Sequence, residues 1–595
     1  MGLVYSRLSP IKRKIRRIPF VYGYDIETCN NNQDYVLGCL YGNEKKFFYS
    51  KKQFIKEVSK NKYAGCYIAC TNLGFDFLGT FHGEKEELQF NTLFRGSSLI
   101  LAETYIINNK FSKIPPKTGK RQKLYFIDTM NYAPMSVEKM GKILGVPKID
   151  KPIFLGERPK NSEDWDLMRH YNARDSKISK EFIDFLFNGF VKLGAEPKKT
   201  IASTGMDLFK RKYLNDVYYT HTSDILVEQF LGYYGAMVQA FKRGLIEDYN
   251  YYDYNSLYPD VMRNEYPDPN SLRVTFKNTN FYINTYHGMS KVEIYCPDID
   301  KPLLPYRHDK KLLFPTGTFT GYYTHIELRE AHKLGYVIKK VYKTFYYKKC
   351  CKPFKDYVTD LYCLRKKYKD NNDNMEIVVK LLMNSLYGKF GQKFENRDNW
   401  ISAPTMEQLN KCNFVERFGE YFRIKQTSRP SAFCIPIWAS YITAYARIKL
   451  YDIIKHDDVV YCDTDSVITK KSYKSSKELG KLKLELRVMN GYIVRPKFYS
   501  LIGYNDERIV KIKGLGKKIH IYEFKDIMIN GKAKYKKFVK FKEHMRRNIP
   551  LNGIMDIEKN FSTEDNKREW LSDFSIMSMQ SSVPLCITKE KSLKI

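Results

Sequence analysis

Seven carboxylates, in two groups far apart along the chain, carry the chemistry this sequence could do. Residues 20–28 read FVYGYDIET, an apolar and aromatic run with the look of a buried strand. Asp25 and Glu27 stand at i and i+2 there, so both project from one face of that strand. Two such carboxylates repel each other unless a cation lies between them, and hard oxygen ligands suit Mg²⁺ or Mn²⁺. A third, Asp76, closes the segment Asn72–Asp76 after the apolar run Cys66–Cys70 and is expected at a strand end. A fourth, Asp175, follows Tyr171 by one turn on a helix expected over Trp165–Phe187. Four carboxylates hold two metal ions, one activating water and one stabilising a leaving 3′ oxygen, with the Tyr171 hydroxyl placed to orient the water.

The second group begins at residues 249–259, YNYYDYNSLYP, where Asp253 ends an expected strand and Ser256-Leu257-Tyr258-Pro259 begins a turn. Asp463 and Asp465 lie in Tyr461–Ser466, flanked by Val459-Val460 and Val467-Ile468, a β-hairpin pattern. If the strand of Asp253 neighbours that hairpin, Asp253 and Asp465 share two ions about 3.5–4 Å apart, the arrangement that activates a 3′-OH and neutralises a triphosphate. Between the two lies a segment with helical spacing over 375–387, in which Lys380, Asn384 and Tyr387 fall at i, i+4 and i+7. That face fits an incoming nucleotide: Lys380 on the phosphates, Tyr387 against base and sugar, Gly388 leaving room for close approach. In isolation, a helix of this kind reads rather as one with a snorkelling lysine and a core tyrosine.

The elements that position these groups belong to a chain of 595 residues, enough for about three to five structural units. Lys and Arg total 101 against 66 acids, a net charge of +35, which points to a polyanionic partner. The 48 Tyr and 37 Phe fit base stacking as well as ordinary core. Twelve Cys without a CxxC pair or zinc spacing read as a reduced cytoplasmic protein. No apolar run approaches the ~18 residues of a membrane span. There is no P-loop and no HExxH motif. Lys12–Arg17 form a basic stub, read as a tail that touches either nucleic acid or solvent.

Taken together, Asp25-x-Glu27, Asn72-x-x-Phe75-Asp76 and Tyr171-x-x-x-Asp175 resemble the motifs of the DEDD proofreading exonucleases. Asp253-x-x-Ser256-Leu257-Tyr258-Pro259, Lys380-x-x-x-Asn384-Ser-x-Tyr387-Gly388 and Tyr461-x-Asp463-Thr-Asp465-Ser resemble motifs A, B and C of family B DNA polymerases. That resemblance implies Asp253 and Asp465 as metal ligands, Asp463 as an accessory carboxylate, and Tyr258 as a steric gate against ribonucleotides. It implies two Mg²⁺ ions per site (Mn²⁺ being possible), template and primer DNA, and deoxynucleoside triphosphates. It also implies DNA contacts at Asn72 and Phe75. Tyr233-x-Gly235-Ala236 and Lys497-x-Tyr499 are similar to elements of the protein-primed subgroup, found in phages and linear plasmids, that contact the template and hold the primer terminus. By that resemblance the chain is a monomer or a heterodimer with a terminal protein. The alternative is a relative using nucleic-acid primers or priming itself. The subgroup's exonuclease lysine falls on Lys148 or Lys151, and its usual Ser-Leu on Thr129-Met130, whose role stays unassigned.

The implied fold is a multidomain α/β and α+β protein, an RNase-H-like 3′–5′ exonuclease followed by a right-hand polymerase with two insertions. Its expected parts are the stub and exonuclease over 1–190 and the first part of the palm over 191–264. A first insertion against the terminal protein follows over 265–352, with β structure near Leu313–Gly321, then fingers over 353–391. The second insertion, for strand displacement, occupies 392–430 and the rest of the palm 431–515. The thumb, with Lys532, Lys534, Lys536, Lys537 and Lys540 on duplex phosphates, and an unassigned extension from 555 fill 516–595. Reverse transcriptases and RNA polymerases usually set two aspartates side by side, whereas Thr464 separates Asp463 from Asp465. A non-catalytic DNA-binding scaffold disagrees with the presence of all seven carboxylates.

Overall fold

The computed structural model describes residues 7–587 apart from 17, 118–121, 394–396, 403, 405, 411–413, 420, 427–429 and 516–518. Arg17 of the stub, parts of the second expected insertion and the last eight residues therefore lie outside the described residues.

The N-terminal third is built on an eight-stranded mixed sheet whose main path runs 45–48, 34–41, 21–29, 67–70, 123–128, 98–107, 91–95. Val21–Cys29, the strand of Asp25 and Glu27, pairs in parallel with Tyr67–Cys70 and antiparallel with Asp34–Tyr41. Across this face lies the 31-residue helix Ser162–Lys192, capped by the Asn161 side chain on the Asp164 N–H at 2.8 Å. Its Ile178, Phe182, Ile183, Leu186, Phe187 and Phe190 are buried. The helix extends two residues past the expected boundary at 190.

A second sheet, central to the remainder, has the order 238–240, 459–463, 466–469, 242–254, 482–495, 498–503, 508–512. The hairpin of Asp463 and Asp465 is thus inserted beside the strand of Asp253. The helix Pro436–Ile454, apolar nearly all round, is buried near it. Two helices, Lys355–Asp370 and Met375–Ser385, pack on each other, and the second sits against Ile201–Leu208. Close approach explains Gly205, where a Cβ would stand 2.6 Å from Ser385 Oγ.

The first expected insertion forms most of a five-stranded sheet, with strands 272–275, 337–347, 287–296 and 316–324, so Thr316–Thr324 carries the β structure expected near Leu313–Gly321. Residues 397–402, 414–418 and 421–426 make a separate three-stranded sheet. Lys532–Phe538 pairs with Ile554–Asn560 in a basic hairpin.

Both ends of the chain are tied to the rest. Just before the basic stub, Arg7–Leu8 pairs with Tyr218–Tyr219 and the Ile11 N–H donates to the Lys210 carbonyl at 2.9 Å; within the stub, which is mostly exposed, the Arg13 carbonyl accepts from Arg211 at 2.5 Å. The extension beyond 560 returns to the central sheet, where Met579–Ser581 pairs with Lys242–Gly244, and Cys586–Ile587 adds a parallel strand to Thr316–Gly317. Arg568, 2% exposed, anchors it by donating to Asp300 and Ser582. Arg243 stacks 4.2 Å from the Trp570 ring. Among the described residues no helix is long and apolar enough to cross a membrane.

The tightest constraint on the first site is Gly23, where a Cβ would fall 1.8 Å from the Ser176 carbonyl oxygen. Gly23→Ala must push the long helix off the strand, and it is expected to destabilise by about 1–3 kcal/mol. A denaturant titration of the variant checks this, the predicted result being a lower midpoint.

Two candidate active sites

In the N-terminal site the strand register sets Asp25 and Glu27 on the face covered by the long helix. Asn172 of that helix donates to Asp25 Oδ2 at 2.7 Å. Asp76, expected at a strand end, instead occupies the first turn of the helix Leu73–Phe81, entered through Asn72 at φ +68°. The Ile26 N–H donates to its Oδ1 at 3.2 Å, so a backbone amide between the two strand carboxylates fixes the third. Asp175 Oδ2 receives Lys148 Nζ at 2.6 Å, and Lys148 also sits 5.0 Å from the Tyr171 ring centroid. Of the two lysines left open by spacing, Lys148 reaches the carboxylates, whereas Lys151 is exposed and has no partner among the described residues.

Burial, then the charge of Asp175, pushes Asp25 up to about 8. Glu27 is held well above the carboxylate range by burial and by Asp25, and Asp76 by the same two causes. Burial also raises Asp175, although Lys148 opposes it. Burial works against the charge on Lys148, but Asp175 outweighs it and raises that lysine. Asp76 Oδ2 and Asp175 Oδ1 are buried with no hydrogen-bond partner. Crowded acids with unmet lone pairs are what a cation relieves.

The second site is made by strand pairing. Asp253 stands opposite Ser466, and the Tyr254 N–H donates to the Asp465 carbonyl at 2.8 Å, which fastens the hairpin turn to the strand of Asp253. The turn is tight: the Asp465 N–H reaches the Asp463 carbonyl at 2.7 Å, and Thr464 is left-handed at φ +66°. Asp463 is ion-paired to Lys497 at 2.9 Å and accepts from the Thr464 hydroxyl at 3.0 Å. Among the described residues, neither Asp253 nor Asp465 forms an ion pair. Burial, then Asp465, raises Asp253 to about 7; burial, then Asp463, raises Asp465 to about 6. The difference between the three aspartates is therefore electrostatic: one is neutralised by the protein and two face each other. Ser256 and Lys497 are also left-handed, at φ +55° and +61°. With Thr464 they are, among the described residues, the left-handed positions that are neither Gly, Asn nor Asp, so costly backbone geometry gathers in the second site.

Beside this pair, the Tyr258 and Tyr387 rings lie parallel, 4.7 Å apart at 4°. Lys380 and Asn384 are exposed on the helix, but the helix ends at Ser385, so Tyr387 and Gly388 belong to the 3₁₀ turn that follows. A Cβ at Gly388 would meet nothing within 4 Å, so that position opens to space. Leu257 is buried, and Ser256 Oγ accepts from Arg365 at 3.5 Å. Tyr233 packs against Gly391, where a Cβ would come 2.6 Å from its ring. Gly235 is exposed. Tyr499 is 2% exposed and packs on Tyr461, which places it behind the surface rather than on it.

Three functional candidates escaped the sequence reading. Asn172 sits inside the Tyr171–Asp175 segment but carries no charge to draw notice. Arg365 joins Ser256 to Glu376, which it meets at 2.7 Å. Arg447 is buried, pairs with buried Glu327 at 2.6 Å, and donates to the Tyr234 and Gly235 carbonyls at 3.0 and 2.6 Å. A lone arginine inside the apolar run Pro436–Ile454 was its available signal, because buried charges are paired.

Among the described residues no three acidic, histidine or cysteine side chains are grouped as one ion's ligand shell. The fit to metal is one of charge and unmet lone pairs: Asp25, Glu27, Asp76 and Asp175 in one site, Asp253 and Asp465 in the other. It has a consequence for pH. An unfolded Asp titrates near 3.9, while folded Asp253 titrates at about 7. Between these values the folded state binds more protons, so this group's contribution is lost as pH rises through the window when no metal is bound. Asp253→Asn is expected to stabilise the metal-free chain at pH 8 by roughly 1–2 kcal/mol, discounted for solvent screening. Urea midpoints at pH 5 and 8 test this, with the gain clearly larger at pH 8 than at pH 5 and removed by Mg²⁺.

A model of the family described as DNA polymerase type B, organellar and viral, matches residues 157–476, over half of the chain. The chain is 26% identical over 501 residues to a probable DNA polymerase of Podospora anserina, covering 69% of this chain and 41% of that one. It is 26% identical over 295 residues to the DNA-directed DNA polymerase of Enterobacteria phage PRD1, covering 48% and 51%. It thus spans about half or less of the length of these relatives. The structure of phi29 DNA polymerase complexed with primer-template DNA and incoming nucleotides superposes with a TM-score of 0.70, covering 92% of this chain and 100% of that one at 19% identity. At that identity the likeness is one of fold, an exonuclease domain followed by a right-hand polymerase. The chain belongs to the organellar and viral type B DNA polymerases.

Proposed function

We propose that this protein is a DNA-directed DNA polymerase with a 3′–5′ proofreading exonuclease, extending a primer in the second site and trimming it in the first. The observation that carries the reading is the hairpin turn that sets Asp465 beside Asp253 while Lys497 neutralises Asp463. Asp253 and Asp465 would hold the ions of the polymerase site; Asp25, Glu27, Asp76 and Asp175 would hold those of the exonuclease. Bound Mg²⁺ would supply Lewis acidity to the oxygens of the phosphate undergoing displacement.

The protein's own groups do the rest. Lys380 and Asn384, exposed on one helix face, bind the triphosphate. Tyr258, held parallel to Tyr387, meets the sugar and excludes a 2′-hydroxyl. Gly388 leaves space for the base pair, and Arg447 holds the Tyr234–Gly235 backbone where Tyr233 and Gly235 meet the template strand. Lys497 holds Asp463 and faces the primer terminus, with Tyr499 as its support. In the other site Tyr171 orients the attacking water, Lys148 steadies the scissile phosphate beside Asp175, and Asn72 and Phe75 contact the single strand.

We assign palm, fingers, thumb and two insertions to the divisions set out from sequence; the pairing of residues 579–587 with Lys242–Gly244 and Thr316–Gly317 supports placing the extension beyond 560 with the palm and first insertion. Basic residues of 532–540 grip duplex phosphates. The sheet over 397–426 serves strand displacement, and the first insertion receives a terminal protein whose hydroxyl primes synthesis in the cytoplasm of a host.

Asp465→Ala is expected to abolish extension, by at least ~10³-fold, while leaving degradation of single strands. Asp25→Ala should do the reverse; survival of both activities in Asp465→Ala contradicts the assignment. For priming, labelled deoxynucleotide should become covalently attached to a small partner protein in replicating extracts. Extension restricted to nucleic-acid primers would overturn that part alone.

A further inference from the structure

At the far end of the helix that carries Asp76, three parts of the chain meet at a pair of histidines. His82 caps the helix Leu73–Phe81 of the N-terminal domain, and His544 lies on the helix Phe541–Arg547 near the C-terminus. Their Nε2 atoms are 3.1 Å apart. The third part is the 397–426 sheet, whose Tyr421 hydroxyl donates to Glu87, and whose Tyr421 and Trp400 pack on Phe541.

The far nitrogen of each ring is already committed. His544 Nδ1 is 2.7 Å from the Ile549 carbonyl, which only accepts, so that nitrogen carries hydrogen. His82 Nδ1 is 3.3 Å from Glu87 Oε1. Glu87, 4% exposed, also accepts from the Gly83 N–H at 3.3 Å and from Tyr421, which marks it as an acceptor and fixes hydrogen on His82 Nδ1 as well. Both Nε2 atoms of the neutral rings therefore turn lone pairs toward each other. Such a contact is repulsive unless a cation or a proton lies between.

Ring geometry separates these two. A straight N–H···N bond at this separation would set the ring centroids roughly 5.4 Å apart. Two nitrogens about 2.0–2.1 Å from a shared ion, 3.1 Å from each other, would set them about 4.9 Å apart. They are 4.9 Å apart, with planes at 89°. Anchoring of the outer nitrogens to a carboxylate and a carbonyl is also what metal-bound imidazoles show.

We propose that His82 and His544 form a transition-metal site of the zinc class that fastens the C-terminal helix to the N-terminal domain. Imidazole nitrogen suits zinc, nickel or copper and not the hard ions that the carboxylates favour, so the two kinds of site take different metals. The pair is an open site that water completes, since no third acidic, histidine or cysteine side chain joins it among the described residues. Glu87, which the ion pairing with His82 would polarise, and Lys113, whose charge interacts with Glu87, are the charged groups facing it.

The test uses the full chain in excess Mg²⁺, which occupies the carboxylates, dialysed against buffered Zn²⁺. The wild type should retain about one zinc more than His82→Ala or His544→Ala, and zinc should raise its unfolding midpoint by roughly 2 °C while leaving the variants unmoved. Glu87→Gln keeps both ligands and should weaken zinc binding by about tenfold or more, a readout that serves if an alanine variant fails to fold. Equal zinc in wild type and variants would overturn the proposal. So would a wild type stabilised by acid in the presence of chelator and indifferent to zinc, because a proton would then hold the pair.

Discussion

Mutual repulsion of carboxylates is the constraint on which the rest of this structure turns. Folding brings acids together twice, and in each place the backbone forces the meeting. In the first site a strand alternation, a helix turn and a 31-residue helix converge. In the second, a hairpin is pinned to the strand of Asp253 by the Tyr254–Asp465 backbone bond. Each arrangement spends folding free energy on crowding, visible in Asp25 raised to about 8 and Asp253 to about 7. Such costs persist only where the surrounding structure over-determines them. The protein neutralises selectively: Lys148 takes Asp175 and Lys497 takes Asp463, while the remaining carboxylates keep unmet charge for a ligand.

The supports of the second site come from distant parts of the sequence. Arg447 ties the Tyr234–Gly235 loop to Glu327 on the helix His325–Lys333, so that loop rests on a buried ion pair. Removing one partner of such a pair costs several times what the pair itself contributes. The C-terminal extension adds a second tie, pairing with the strand that leads to Asp253 and with Thr316–Gly317 of the five-stranded sheet. The geometry around Asp253 is thereby coupled to that sheet by a charge pair and a strap of chain.

What was legible in the sequence was what short-range rules decide. Alternation on Val21–Cys29 and the apolar flanks of Asp463 placed those carboxylates correctly, because a strand needs only its own residues to set faces. Asp76 and Tyr387 were put on the wrong element, since helix starts and ends turn on caps such as left-handed Asn72 that composition hardly marks. Lys148 and Lys151 were inseparable by spacing, because the path of the segment between helices decides which ammonium reaches Asp175. The return of residues 579–587 to strands more than 260 residues earlier left no local trace at all. Neither did the meeting of His82 with His544.

The central claim is that one chain both builds and trims a primer end, at two sites. The most direct measurement follows a labelled primer annealed to a longer template, incubated with the protein and Mg²⁺ with and without deoxynucleoside triphosphates. Shortening without nucleotides and lengthening to the template end with all four, halted one position early when the complementary nucleotide is withheld, is the predicted result. A primer that is never lengthened, or whose extension ignores the template, would contradict the account.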